Sequence, residues 1–275
     1  DSGSKVIRTR SSVRRKARFL RKRKQRYLTE KPKLQDVDIV VLAGGLGTRL
    51  KPAVPELPKI LAPVQGRPML DWQLDWLAQF EPSRVILSLG YMADDVESYL
   101  KQNNRWNFKI QPITEPSPLG TGGALLYSSS YCVQDSMLVI NGDTLLRANL
   151  SDFLESFANG TSPTSIMCAK AQDSSNFGSV LVRDNLVIEF HEKQKISDTN
   201  AYVSAGVYLF NVDTIRDLPL PSVCSLETDI LPLLIKGGMI AYMTNISFLD
   251  IGTPDGIAHA NRTWKNSYDN SPLVG

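Results

Sequence analysis

Histidine and cysteine are scarce in this 275-residue chain: it has two histidines, His191 and His259, and three cysteines, Cys132, Cys168 and Cys224. Two histidines leave little room for a histidine-based triad or metal cluster. The cysteines are odd in number and widely spaced, with no Cys-x-x-Cys pair, which argues against a disulfide framework or a thiolate zinc site and for a reducing compartment. Long apolar runs are missing too. The longest, 230–235, is six residues and contains Pro232, far short of the roughly 18 that a membrane-crossing helix needs. No signal-peptide pattern or internal repeat is visible. The expectation is a cytoplasmic chain without a membrane span, whose catalysis, if any, rests on carboxylates, Lys, Arg and backbone amides.

Apolar residues make up 42% and charged residues 21%, the composition of a folded globular protein. The net charge of +3 hides an asymmetry. Residues 1–33 carry 14 Lys and Arg against Asp1 and Glu30, a local charge of +12, which leaves the rest at −9. Residues 1–36 are therefore expected to be a basic arm and residues 37–275 a single large domain. The arm has a weak helical spacing at Val13, Ala17 and Leu20 and no recognisable nucleic-acid module. Its open readings are a flexible or helical extension, the end of a preceding domain, or a contact with an anionic lipid or polymer surface.

The body alternates strand-like and helix-like segments. Strands are expected at 38–42, 85–89, 108–113, 136–140, 165–169 and 205–210, with a hairpin over 179–190 turning at Asp184 and Asn185 and a last strand at 246–249. Helices are expected at 67–80, where Leu70, Leu74 and Leu77 share a face, and at 94–102. Such alternation predicts an α/β fold with a mixed, mostly parallel sheet covered on both faces, and ligands at the carboxyl ends of its strands.

The residues after the first strand are Leu42, Ala43, Gly44, Gly45, Leu46, Gly47, Thr48 and Arg49. Glycines on this spacing let successive amides surround an anion. The pattern is neither a dinucleotide fingerprint nor a Walker loop. The planar Arg49 fork suits a di- or triphosphate. Lys59, held between Pro58 and the 63–68 segment with its two prolines, is placed to meet a phosphate. Glu115 and the run Leu119, Gly120, Thr121, Gly122 precede a helix expected to open at Gly123, where a flat base could lie on backbone. Asp143 and Asp250 each follow an apolar strand, as two ligands of a hard divalent cation, normally Mg²⁺, should when phosphate oxygens and water complete its shell. Thr253 and Pro254 fit the cap and first residue of the last helix, which frees Asp250.

The runs VLAGGLGTRLKP and LPKILAPVQGRPML resemble the signature of the sugar-1-phosphate nucleotidyltransferases, and the likeness extends over most of residues 38–262. The resemblance implies their three-layer α/β/α, Rossmann-like fold. It also implies a magnesium-dependent reaction in which a sugar 1-phosphate and a nucleoside triphosphate give a nucleotide-sugar and pyrophosphate. Arg49, Lys59 and Asp143 would then be catalytic and Asp143 and Asp250 the metal ligands. Leu42 to Gly45, Gly47, Thr48, Gly90, Tyr91, Glu115 and Leu119 to Gly122 would hold the nucleotide. Asn141, Gly142, Gly178, Glu192, Lys193, Ser204 and Gly206 would hold the sugar. Relatives usually have Asn where Ser204 stands, which puts its direct sugar contact in doubt; Glu227 with Asp229 matches a further family stretch. The compact length and the ILSLGY, SAGVYLF and FLDIGTP segments are most similar to members that join GTP to a heptose 1-phosphate. Uridylyltransferases of N-acetylmuramate 1-phosphate and GDP-mannose-type enzymes are the alternatives within the family. A catalytically silent nucleotide-sugar-binding scaffold is the alternative outside it, and a homo-oligomer stays open.

Overall fold

Val, Ile and Leu runs too short to span a membrane are long enough to cross a sheet, and here they build one of nine strands. The computed structural model describes residues 10–27, 31–51, 54–170, 178–192, 201–246 and 248–264. Helix α1 (Arg10–Arg26) precedes β1 (Asp38–Leu42), a small hairpin of β2 (Pro63–Val64) and β3 (Arg67–Pro68), and α2 (Met69–Ala78). Next come β4 (Arg84–Leu89), α3 (Ala93–Gln102), β5 (Lys109–Thr114), α4 (Gly120–Ser129), β6 (Ser136–Asn141) and β7 (Thr144–Leu146). They are followed by α5 (Leu150–Asn159), β8 (Thr164–Ala169), β9 (Ser179–Arg183), β10 (Leu186–His191) and β11 (Ala201–Asn211). The described chain closes with α6 (Val212–Arg216), α7 (Leu231–Lys236), β12 (Ile240–Thr244), β13 (Phe248–Asp250) and α8 (Pro254–Thr263).

The sheet order is β5-β4-β1-β6-β11-β8-β12-β10-β9. Strand β1 is parallel to both β4 and β6. Strand β11 is antiparallel to β6 and β8, and β12 is parallel to β8. Thus β1, β4, β5, β6, β8 and β12 all point one way, and their carboxyl ends share one edge of the molecule. Alternation within β1 shows the two covered faces: Ile39 and Val41 join α2, α3 and α5 in one apolar cluster, while Val40 joins α4, α6 and α7 in the other. A third cluster, with Leu50, Trp72, Ile251 and Trp264, anchors α8.

Several elements differ from the sequence reading. The helix expected at 67–80 begins at Met69, because Arg67 and Pro68 pair with Val64 and Pro63 around Gln65 and Gly66 at positive φ. Strand 205–210 is the inner part of the longer β11, whose register breaks between Ser204 and Tyr208 at Gly206, φ +67°. Helix α4 opens at Gly120 rather than Gly123, since the amides of Gly122 and Gly123 close onto the Cys224 carbonyl at 2.9 and 3.1 Å. The last strand is β13, Phe248–Asp250, and Ser247 lies outside the described residues. Strands β7 and β12 were not expected. The hairpin of β9 and β10 turns where expected, with Asp184 and Asn185 at φ 50° and 59°.

Helix α1 lies on the body. Phe19 packs against Phe157 of α5 at 6.4 Å between centroids, and the Arg23 guanidinium sits over both rings. Arg23 is 4% exposed and donates to the carbonyls of Ser162 at 3.0 Å and Gly160 at 2.5 Å. Burial pulls its pKa down to about 10.

Candidate active site

The carboxyl ends of β1 and β6 open into a cavity of about 340 Å³. Two short strands bring its acids together. Strand β7 leaves the turn after β6 and pairs antiparallel with β13, placing Asp250 opposite Thr144, while Ile251 N donates to the Asp143 carbonyl at 3.0 Å. Asp143 and Asp250 therefore face each other across a two-stranded ribbon rather than across the main sheet. The 3₁₀ turn Lys59–Leu61 brings the third charge, and Lys59 Nζ donates to Asp143 Oδ2. Gly252 shows how closely these heads converge. A methyl group built there would lie 2.7 Å from Asp250 Oδ1, 2.8 Å from Lys59 Nζ and 3.0 Å from Asp143 Oδ2.

Burial and the neighbouring Asp143 carboxylate push the Asp250 pKa up, against the opposing pull of the Gly252 N–H, Lys59 and Arg49. The donor set suits a hard cation. Two carboxylates meet at one point with room left for oxygen ligands from elsewhere, and among the described residues no cluster of three or more acidic, histidine or cysteine side chains offers a closed protein cage. The residues present thus fit Mg²⁺ held jointly by protein and phosphate.

Around this centre lie most of the residues singled out from sequence. Leu42, Ala43, Gly45, Gly47, Thr48 and Arg49 form one wall. The amides from Gly45 to Arg49 donate to no backbone carbonyl among the described residues. Arg49 is exposed at the mouth. Asn141, Gly142, Gly178, Glu192, Ser204 and Gly206 line the opposite side with Thr121. Lys193 lies outside the described residues.

A second group of the singled-out residues stands behind the wall rather than on it. Gly44, Gly90 and Glu115 are stacked together: a methyl group on Gly44 would meet Glu115 Oε1 at 2.1 Å, and one on Gly90 would meet the Gly44 carbonyl at 2.5 Å. Glu115 is 9% exposed, its Oε2 accepts from Leu119 N at 3.1 Å, and burial raises its pKa. Tyr91 is exposed with Lys51 Nζ over its ring at 4.6 Å. The Gly122 amide is committed to Cys224, so this segment packs a helix start against its neighbour and presents Thr121 alone to the cavity.

Two wall residues, Tyr208 and Glu227, and one behind the wall, Gln73, were not singled out as contacts, though Tyr208 lies in the SAGVYLF segment read from sequence. Tyr208 is buried at the floor, its hydroxyl 3.2 Å from Ser204 Oγ, which also accepts from Gly206 N; burial raises its pKa. The short Ser204 is thus engaged by Tyr208. Glu227, noted only with a family stretch, also lines the cavity, and its Oε2 accepts from Thr121 Oγ1 at 2.7 Å and Ser225 Oγ at 3.0 Å. Gln73, buried on α2, donates to the carbonyls of Asn141 and Thr144 at 3.0 and 2.9 Å and clamps the turn that carries Asp143. A polar residue within an apolar helix was the only trace of it in sequence.

Unpaired loop amides, an arginine at the mouth and two carboxylates at strand ends define an α/β enzyme that handles nucleoside phosphates. The chain belongs to the nucleotidyl transferase family, whose model matches residues 38–267. It is 31% identical over 228 residues to D-glycero-alpha-D-manno-heptose 1-phosphate guanylyltransferase of Aneurinibacillus thermoaerophilus, covering 82% of this chain and 97% of that one. It is 30% identical over 242 residues to mannose-1-phosphate guanylyltransferase of Mycobacterium tuberculosis, covering 86% and 67%. The crystal structure of HddC from Yersinia pseudotuberculosis complexed with GMP-PN superposes with a TM-score of 0.73 at 33% identity, covering 83% of this chain and all of that one. The chain is a sugar-1-phosphate nucleotidyltransferase.

Proposed function

We propose that this enzyme joins GTP to D-glycero-α-D-manno-heptose 1-phosphate, in the cytoplasm, giving GDP-heptose and pyrophosphate. The reaction class is carried by one observation, the convergence of Lys59, Asp143 and Asp250 beside a loop of unpaired amides. The guanine and heptose assignments are supported by the match to a heptose 1-phosphate guanylyltransferase over nearly its whole length.

In this reading an oxygen of the sugar phosphate attacks the α-phosphorus of GTP in line. The bond from that phosphorus to the bridging oxygen breaks, and pyrophosphate leaves with the electron pair. A phosphate monoester is already a nucleophile at neutral pH, so the site needs no general base, and among the described residues the cavity wall holds no histidine. The amides from Gly45 to Arg49 and the Arg49 guanidinium take the β and γ oxygens, where charge accumulates as pyrophosphate departs. Lys59 moves its ammonium to the α-phosphate. Asp143 and Asp250 would hold Mg²⁺, which when bound neutralises charge on the reacting phosphates. Glu192, Ser204, Tyr208 and Glu227 form the half of the cavity left for the sugar, where carboxylates accept several hydroxyl hydrogen bonds each. Glu115 and Tyr91 support the base side from behind the loop.

The test is a matrix of nucleoside triphosphates against sugar 1-phosphates, with pyrophosphate release followed in the presence of Mg²⁺. GTP with D-glycero-α-D-manno-heptose 1-phosphate should be the fastest pair. Faster turnover of mannose 1-phosphate would move the assignment to a GDP-mannose enzyme, and preference for UTP with N-acetylmuramate 1-phosphate to the uridylyltransferases. No turnover of any pair would leave a binding protein.

A further inference from the structure

The cations of α1 whose side chains are described, from Arg15 to Arg26, divide into two sets. Arg15 pairs with Asp217 at 3.0 Å, Lys16 donates to the Gly237 carbonyl at 3.1 Å, Arg23 is buried against Gly160 and Ser162, and Arg26 pairs with Asp36 at 2.5 Å. Arg18, Arg21, Lys22 and Lys24 are exposed and have no hydrogen bond or ion pair among the described residues. At 100° per residue, Arg18, Arg21 and Lys22 fall within about 100° of one another on the side away from Phe19 and Arg23. One face of the helix is thus spent on docking, and the other is a strip of free charge along a rod of about 25 Å.

The landing points of the first set fix where that strip lies. Gly160 and Ser162 precede β8, Gly237 precedes β12 and Asp36 precedes β1. These three strands point the same way, so their amino ends share the edge of the sheet opposite the cavity, which opens at the carboxyl ends of β1 and β6. Helix α1 is a cationic strut across the end of the molecule farthest from the chemistry.

We propose that this strip adsorbs the enzyme to an anionic lipid bilayer with the cavity facing away from the surface. Charge complementarity carries the choice of occupant. The body, residues 34–275, has a formal charge of −9 and is repelled by an anionic plane, so the α1 side alone can approach it. The helix turns Phe19 inward, and among its described side chains no large apolar one is exposed, so the described face has nothing to insert. Contact rests on headgroup charge and is reversible. A polynucleotide fits less well, since among the described side chains the outward face has no aromatic ring to stack on bases.

The experiment is co-sedimentation of the full chain with phosphatidylcholine vesicles, with and without about one third phosphatidylglycerol, at roughly 0.15 M salt. The enzyme should sediment with the anionic vesicles alone. Each of the four free cations contributes about fivefold to the partition, so Arg18→Gln with Arg21→Gln should weaken it about 25-fold, and all four replaced by Gln several hundredfold. Pyrophosphate release and the circular dichroism spectrum should stay those of the parent, because the strip touches neither the cavity nor the docked face. Failure of the parent to sediment with anionic vesicles, or sedimentation of the fourfold variant as well as the parent, overturns the proposal. So does a DNA duplex that binds more tightly than the vesicles at the same salt, which would make the strip a nucleic-acid surface.

Discussion

The Lys59 ammonium donates to Asp143 Oδ2 in the same small space that Asp250 Oδ1 enters from the other strand of the ribbon. Two carboxylates this close repel each other, and a cation between them relieves the repulsion. Lys59 is the resident cation. A metal reaching Asp143 must displace it, and an arriving nucleotide offers the ammonium another anion to meet. Metal and nucleotide should therefore bind together better than either binds alone.

Lys59→Met removes the competitor. Calorimetry with Mn²⁺ on the nucleotide-free protein should show affinity tightened about tenfold, while pyrophosphate release falls roughly a hundredfold to a thousandfold. Asp143→Asn should lose both the Mn²⁺ affinity and the turnover. Unchanged Mn²⁺ affinity in Lys59→Met would show that the ammonium does not guard the site.

Gly44→Ala should damage nucleotide binding from behind the loop. Its methyl group meets Glu115 Oε1 at 2.1 Å, and Glu115 is tied to Leu119 N, so loop or carboxylate must shift at a cost of about 1–3 kcal/mol. Adding Glu115→Ala makes room, and the double variant should recover part of the lost GTP affinity in a titration. Equal affinity in Gly44→Ala and the parent would show that the packing is slack.

Glu115 also gives a pH dependence. Burial raises its pKa above 4.5, so the folded chain holds this proton more tightly than the unfolded chain does. The associated stability is fully present below the unfolded value and is lost as pH rises through the folded one. Glu115→Gln keeps an acceptor for Leu119 N and removes the buried charge. Its melting temperature should exceed the parent's at about pH 8 and match it at about pH 4. An identical pair of melting curves across that range would contradict the buried-charge cost.

The legible parts of this molecule were those whose cause is local. Strand β1 is apolar at every position from Ile39 to Leu42 because both sheet faces are covered, and that run needs no partner to be read. Thr253 accepts from Gly256 N at 3.1 Å ahead of Pro254, as the cap preference of threonine indicates. Asp184 and Asn185 tolerate positive φ, so the β9–β10 turn announced itself. Strand β7 is three residues long and exists because β13 pairs with it, a fact without local signature. Tyr208, Glu227 and Gln73 entered the site by register and helix packing, which spacing along the chain does not encode. The glycines of the Leu-Gly-Thr-Gly run signal close backbone approach, and among the described residues the backbone they approach is that of Cys224 and Ser225, which spacing along the chain does not name.

Gln73→Leu tests whether a residue remote from the cavity holds Asp143 in place. The substitution keeps the volume on α2 but leaves the carbonyls of Asn141 and Thr144 without their donor, at about 1–3 kcal/mol each where no water replaces it. Those carbonyls flank Asp143, so the carboxylate should lose its orientation while the amide loop, to which the proposed reading gives the triphosphate, stays as it was. The expected result is a fall in kcat with little change in KM for GTP, together with a lower melting temperature. A rise in KM at constant kcat would place Gln73 in nucleotide binding instead, and a melting shift with both constants unchanged would confine it to the core.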